Sequence, residues 1–75
     1  MSNDLEKEQG DRIRKARLQR FNGTVNMKEM AIFLRVPYRT YQNWEMGRNL
    51  PRREMLIKLA DLLKVSPAYL AFGTE

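Results

Sequence analysis

The chain divides by its hydrophobic spacing into short helical stretches separated by turn signals. The clearest is Arg52 to Leu63, where Met55, Leu56, Leu59, Ala60 and Leu63 repeat as one apolar stripe at helical period. Before it, Gly10 to Arg20 reads as a helix with Ile13, Ala16, Arg17 and Arg20 on one side and Phe21 closing that face. The Asn-Gly pair in "FNGT" breaks the pattern. Asn26 then stands as an N-cap with Glu29 three residues on, opening a helix Met27 to Leu34 that buries Met30, Ala31 and Leu34. A short break at Arg35–Val36 leads to Pro37, which suits the first turn of a new helix running to Met46, with Gly47 as its terminator. "RNLP" is a loop. Ser66 and Pro67 form an N-cap and N1 pair for a last short helix that ends at Gly73. No segment alternates with period two, so the expected class is all-α, five short helices around one core.

The first residues, "MSNDLEKE", show no firm apolar period, and residues 1–9 are expected to form a flexible arm ahead of one domain over residues 10–73. At 75 residues the chain has room for one domain with a modest core. It has no Cys and no His, so disulfides and the usual zinc constellations have no ligands. No metal or cofactor is expected, and no small-molecule ligand is evident. No apolar run approaches the ~20 residues of a membrane span, and nothing resembles a signal peptide. A cytoplasmic protein without membrane association is the simplest expectation.

Charge changes the picture more. The net charge is +5, but residues 1–9 carry Asp4, Glu6 and Glu8 against Lys7. The remaining chain is therefore at +7, a balance that favours a polyanionic partner.

The third helix has the most informative composition. At about 100° per residue, Tyr38, Arg39, Gln42, Asn43 and Met46 share one side and Tyr41, Trp44 and Glu45 the other. Tyr41 and Trp44 are suited to anchoring the helix. Arg39, Gln42 and Asn43 are suited to base edges, since Arg pairs with guanine O6 and N7, and Asn or Gln with adenine N6 and N7. A helix, a tight break and a second helix is also the helix-turn-helix arrangement. Arg48, Arg52 and Arg53 cluster just beyond, placed to meet a phosphate backbone.

Catalysis is disfavoured. The common general base and nucleophile are missing, and Glu29, Glu45, Glu54 and Asp61 are scattered among basic neighbours.

The string from Met27 to Gly73 resembles the helix-turn-helix domain of phage repressors and Cro proteins, the XRE-type family. The resemblance rests on Ala31 in the second helix, "WEMG" at Trp44–Gly47, Pro51, the leucine-rich fourth helix and "VSPAYL" at Val65–Leu70, and it covers about residues 10–73. It implies a five-helix lambda-repressor-like DNA-binding domain whose helix 37–46 lies in the major groove. By that resemblance Tyr38, Arg39 and Asn43 match base-contacting positions, with Gln42 adjacent. Thr40 matches a backbone-touching hydroxyl. Arg17 matches an arginine that pairs with the glutamate of "WE", here Glu45, a pairing expected to be structural and to hold Arg17 near a phosphate.

The sequence departs from the family pattern at four places. Met27 replaces a phosphate-touching Gln, so that contact is either lost or made by backbone NH groups at the helix N-terminus. Arg35 replaces the Gly of the turn, which costs roughly 1 kcal/mol if left-handed and suggests a phosphate contact in exchange. Pro37 replaces a Ser/Thr cap. "RFNGTV" lengthens the first connection.

The resemblance further implies a transcriptional repressor of phage or mobile-element type, bacterial or phage-encoded. It would bind a double-stranded DNA operator as a homodimer through the C-terminal region, about Val65–Phe72. The alternative is a DNA-binding antitoxin of a toxin–antitoxin pair. That role needs a partner-binding extension, and only residues 1–9 and 74–75 lie outside the domain.

Overall fold

The computed structural model describes residues 4–74. Five helices follow one another: α1 (Asp4–Arg20), α2 (Met27–Leu34), α3 (Tyr38–Glu45), α4 (Arg53–Leu63) and α5 (Pro67–Phe72). Among the described residues there is no strand, and no helix is long and apolar enough to cross a membrane. The all-α expectation therefore holds.

Helix α1 packs on α3, α4 and α5, and α2 packs on α3 and α4. The core between them is built from Ile13, Ala16, Met30, Ala31, Leu34, Tyr41, Trp44, Leu59, Ala60, Leu63 and Leu70. Met55 and Leu56 of the α4 stripe are only half-buried at its edge.

Helix α1 begins at Asp4, well before the predicted start at Gly10. Residues 4–9 of the expected arm are thus helical, and Met1–Asn3 lie outside the described residues. Apolar spacing did not reveal this turn because its apolar residue, Leu5, points out, while Gln9 and Gly10 face inward. Asp4 and Glu6 in the first turn favour the positive end of the helix dipole. Arg20, expected on the inner face, is exposed; its guanidinium lies over the Phe21 ring at 4.9 Å.

The remaining ends follow their capping residues. Asn26 and Glu29 form a reciprocal capping box at the start of α2. Ser66 Oγ accepts from the Tyr69 amide at the start of α5. Arg12 reaches across from α1 and donates to the carbonyls of Leu70 and Ala71, both at 3.0 Å. A cation on the last carbonyls of a helix also meets the negative end of its dipole. Within α5, Leu70 is fully buried, Tyr69 is half-buried and Phe72 is 76% exposed. Of the apolar residues expected to serve a dimer contact, Leu70 is therefore consumed by the core.

Candidate nucleic-acid interface

Helix α2 ends at Arg35, which is left-handed with φ 60° and ψ 45°. The amide of Val36 donates back to Ala31 O at 3.0 Å, so the chain reverses within a single residue. Pro37 follows at φ −61° with extended ψ, and α3 starts at Tyr38. Pro37 makes no side-chain cap bond. Its φ already has the helical value, and the extended ψ of 146° makes it the N-cap residue rather than, as expected, part of the first turn.

The two sides of α3 are chemically distinct. Tyr41, Trp44 and Glu45 are buried. Tyr38, Arg39 and Met46 are exposed, and Thr40, Gln42 and Asn43 are part-exposed. The rings of Tyr41 and Trp44 meet edge to face at 5.9 Å.

Glu45 ties α3 to α1 through Arg17, which in turn holds the α1–α2 connection. Arg17 Nε donates to Glu45 Oε2 at 2.7 Å, and Arg17 Nη2 donates to Oε1 at 3.1 Å. Arg17 Nη1 donates to Val25 O at 2.7 Å. The Tyr41 hydroxyl donates to Glu45 Oε2 as well. A buried carboxylate thus has a planar two-point cationic partner plus a hydroxyl, which is how a buried ion pair is made tolerable. Burial, with the Glu45 charge and hydrogen bond adding to it, pushes the Tyr41 hydroxyl's pKa far above its ordinary value near 10. Donating to Glu45 raises that of Arg17, so both donors keep their protons.

This geometry corrects one expectation. Arg17 is 8% exposed and all three of its guanidinium nitrogens are engaged inside the protein. The guanidinium is turned inward and buried, which is a structural placement rather than a phosphate-facing one.

The other candidates lie at the surface. Asn43 lies beside Arg48, whose Nη1 donates to Asn43 Oδ1 at 3.4 Å. The Asn43 carbonyl also accepts from the Arg48 and Asn49 amides at 2.9 and 3.4 Å. Thr40 and Arg52 line one open groove of about 560 Å³ beside α3, with Asn49 between them in sequence. Arg53 opens α4 and Arg35 closes α2, both exposed. Sequence reasoning missed three features: the Tyr41 hydroxyl on Glu45, the Val25 carbonyl under Arg17, and Asn49 in the groove. Only the first carried a signal, the one-turn spacing of Tyr41 and Glu45.

Among the described residues no group of acidic, His or Cys side chains is arranged to hold a metal ion. The arrangement can present hydrogen-bond donors and acceptors on one convex helix beside guanidinium groups. Comparison with curated proteins and with solved structures finds no match. The family model described as helix-turn-helix matches residues 13–70, the span from the core of α1 to the buried Leu70 of α5. With that match over most of its length, this chain belongs to the XRE-type helix-turn-helix family of DNA-binding transcription regulators, a regulatory rather than a catalytic family.

Proposed function

We propose that the protein is a sequence-specific repressor of phage or mobile-element type that reads the major groove of double-stranded DNA with α3. The observation that carries this reading is the division of α3 into two faces. The buried Tyr41–Trp44–Glu45 face fixes the helix, and Tyr38, Arg39, Gln42 and Asn43 are left on the accessible side. In this reading Arg39 pairs with a guanine, Gln42 and Asn43 pair with adenines, and Tyr38 meets a thymine methyl or a phosphate. Thr40, Arg48, Arg52, Arg53 and Arg35 contact phosphates on either side and set the register.

The protein acts as a homodimer on a pseudo-palindrome, its half-sites about one helical turn apart. The exposed Phe72 at the end of α5 is the apolar residue of the C-terminal region that the core leaves free to meet a second copy.

Selection of bound duplexes from a random pool at defined salt tests the whole reading. The expected result is one symmetric motif with strongly preferred base pairs in each half. Recovery of unbiased sequences would overturn base reading, and a single unpaired half-site would overturn the dimer.

A further inference from the structure

The last turn of α3 rests on the first turns of α1 with no room between them. A methyl carbon added at Gly10 would sit 2.6 Å from the Trp44 carbonyl oxygen and 2.7 Å from that of Glu45. One added at Gly47 would sit 2.7 Å from Lys7 Cα and 3.1 Å from its nitrogen. All four are backbone atoms, so no side-chain rotation relieves either contact. Lys7 and Gly10 are one turn apart on α1, and Trp44 and Gly47 are one turn apart at the end of α3. The two glycines therefore serve one crossing, each from its own side.

Gly10 is the more telling of the two. It lies in the interior of α1, where glycine is among the poorest helix formers. Its retention is explained by close approach. Gly47 also needs its lack of Cβ for conformation, at φ +76°.

The same turn carries groups assigned above to DNA. The Asn43 carbonyl is tied to the amides of Arg48 and Asn49, and the Asn43 side chain to the Arg48 guanidinium. The α2–α3 turn fixes the start of α3, and the α1 crossing fixes its end. We infer that Gly10 and Gly47 are positioning residues for DNA recognition. They let the end of α3 sit close on α1, and that distance sets how Asn43 is presented to the groove.

This inference rests on α3 being the reading helix, and the test separates the two ideas. Wild type, Gly10→Ala and Gly47→Asn are compared on the selected duplex and on a scrambled duplex of equal length, with thermal melting as the check on folding. Asn is chosen at position 47 because it tolerates positive φ while adding a Cβ. The expected result for a folded Gly10→Ala is a loss of about tenfold or more on the selected duplex, the scale of one lost base contact. Binding to the scrambled duplex stays near wild type, and the altered base preference falls at the base pairs nearest Asn43. A merely structural role would lower both affinities together through the folded fraction. If Gly10→Ala does not fold, Gly47→Asn carries the test, and if neither folds the positioning role is overturned. A wild type that binds both duplexes equally overturns the reading of α3. A selective wild type with an equally selective Gly10→Ala overturns the positioning role alone.

Discussion

Two junctions in this protein are built alike and lead to different ends. Helices α2 and α4 both finish on a buried leucine, Leu34 and Leu63, followed by a basic residue in the left-handed region. Arg35 and Lys64 have φ of 60° each, with ψ of 45° and 42°. Val36 and Val65 then donate back to Ala31 and Ala60, each at 3.0 Å. After this shared device the chains part. Beyond Arg35, α3 buries an ionic network and turns Tyr38 and Arg39 outward. Beyond Lys64, Ser66 caps α5, which buries Leu70 and receives Arg12 on its carbonyls. The backbone reversal is therefore generic. In the proposed reading, what distinguishes the first junction is the polar face that the following helix presents.

Removing each helix's anchor should break the comparison most sharply. Glu45→Ala leaves Arg17 buried without its partner and the Tyr41 hydroxyl without its acceptor. The expected loss is about 3–5 kcal/mol in urea denaturation. Arg12→Ala, which frees two part-buried carbonyls at the end of α5, should cost less, about 1–3 kcal/mol. A Glu45→Ala loss no larger than that of an exposed pair, below about 1 kcal/mol, would show that the network does not hold α3.

Tyr41→Phe sharpens the same point. It deletes one hydrogen bond to a charged group, for an expected loss of about 1.5–3 kcal/mol at neutral pH. In the folded protein the Tyr41 hydroxyl is held protonated above its ordinary value near 10. Its contribution is complete below pH ~10 and is lost as the pH rises above that value. Wild type should lose stability more steeply than Tyr41→Phe between pH ~10 and the onset of alkaline unfolding. Parallel curves in that range would remove Tyr41 from the network.

The smallest effect compares the junctions directly. Arg35→Gly and Lys64→Gly each relieve a left-handed non-glycine residue, and each should stabilise the fold by up to ~1 kcal/mol. Only Arg35→Gly should weaken DNA binding and reduce the salt dependence by about one unit of slope. An equal loss of DNA binding in Lys64→Gly would mean that the two junctions do not differ as described.

Much of this architecture was legible because the chain marks its own helix ends. Asn26 with Glu29, Ser66 with Pro67, and the terminators Gly47 and Gly73 each state a boundary in local chemistry. The two faces of α3 were legible for a related reason, since Tyr41, Trp44 and Glu45 recur at helical spacing on one side. The first turns of α1 were not. Their inward residues are Gln9 and Gly10, and a close backbone crossing leaves no apolar signature. The commitment of Arg17 to Glu45 and Val25 was only half legible. The family resemblance implies the pairing with Glu45 but does not say how many of the Arg17 donors are used inside the protein. Periodicity puts Arg20 on the inner face, yet near a helix end the neighbouring element decides what is covered, and Arg20 is exposed.

The central claim is that Arg39 and its neighbours on α3 read bases in the major groove. The most direct test replaces each guanine of the selected half-site in turn by 7-deazaguanine, which removes the N7 acceptor and leaves the Watson–Crick pairing intact. One guanine should emerge whose replacement weakens wild-type binding, by about 1–3 kcal/mol at most. The same replacement should leave Arg39→Ala unaffected. A loss that persists in Arg39→Ala, or wild-type binding indifferent to every replacement, would contradict the account.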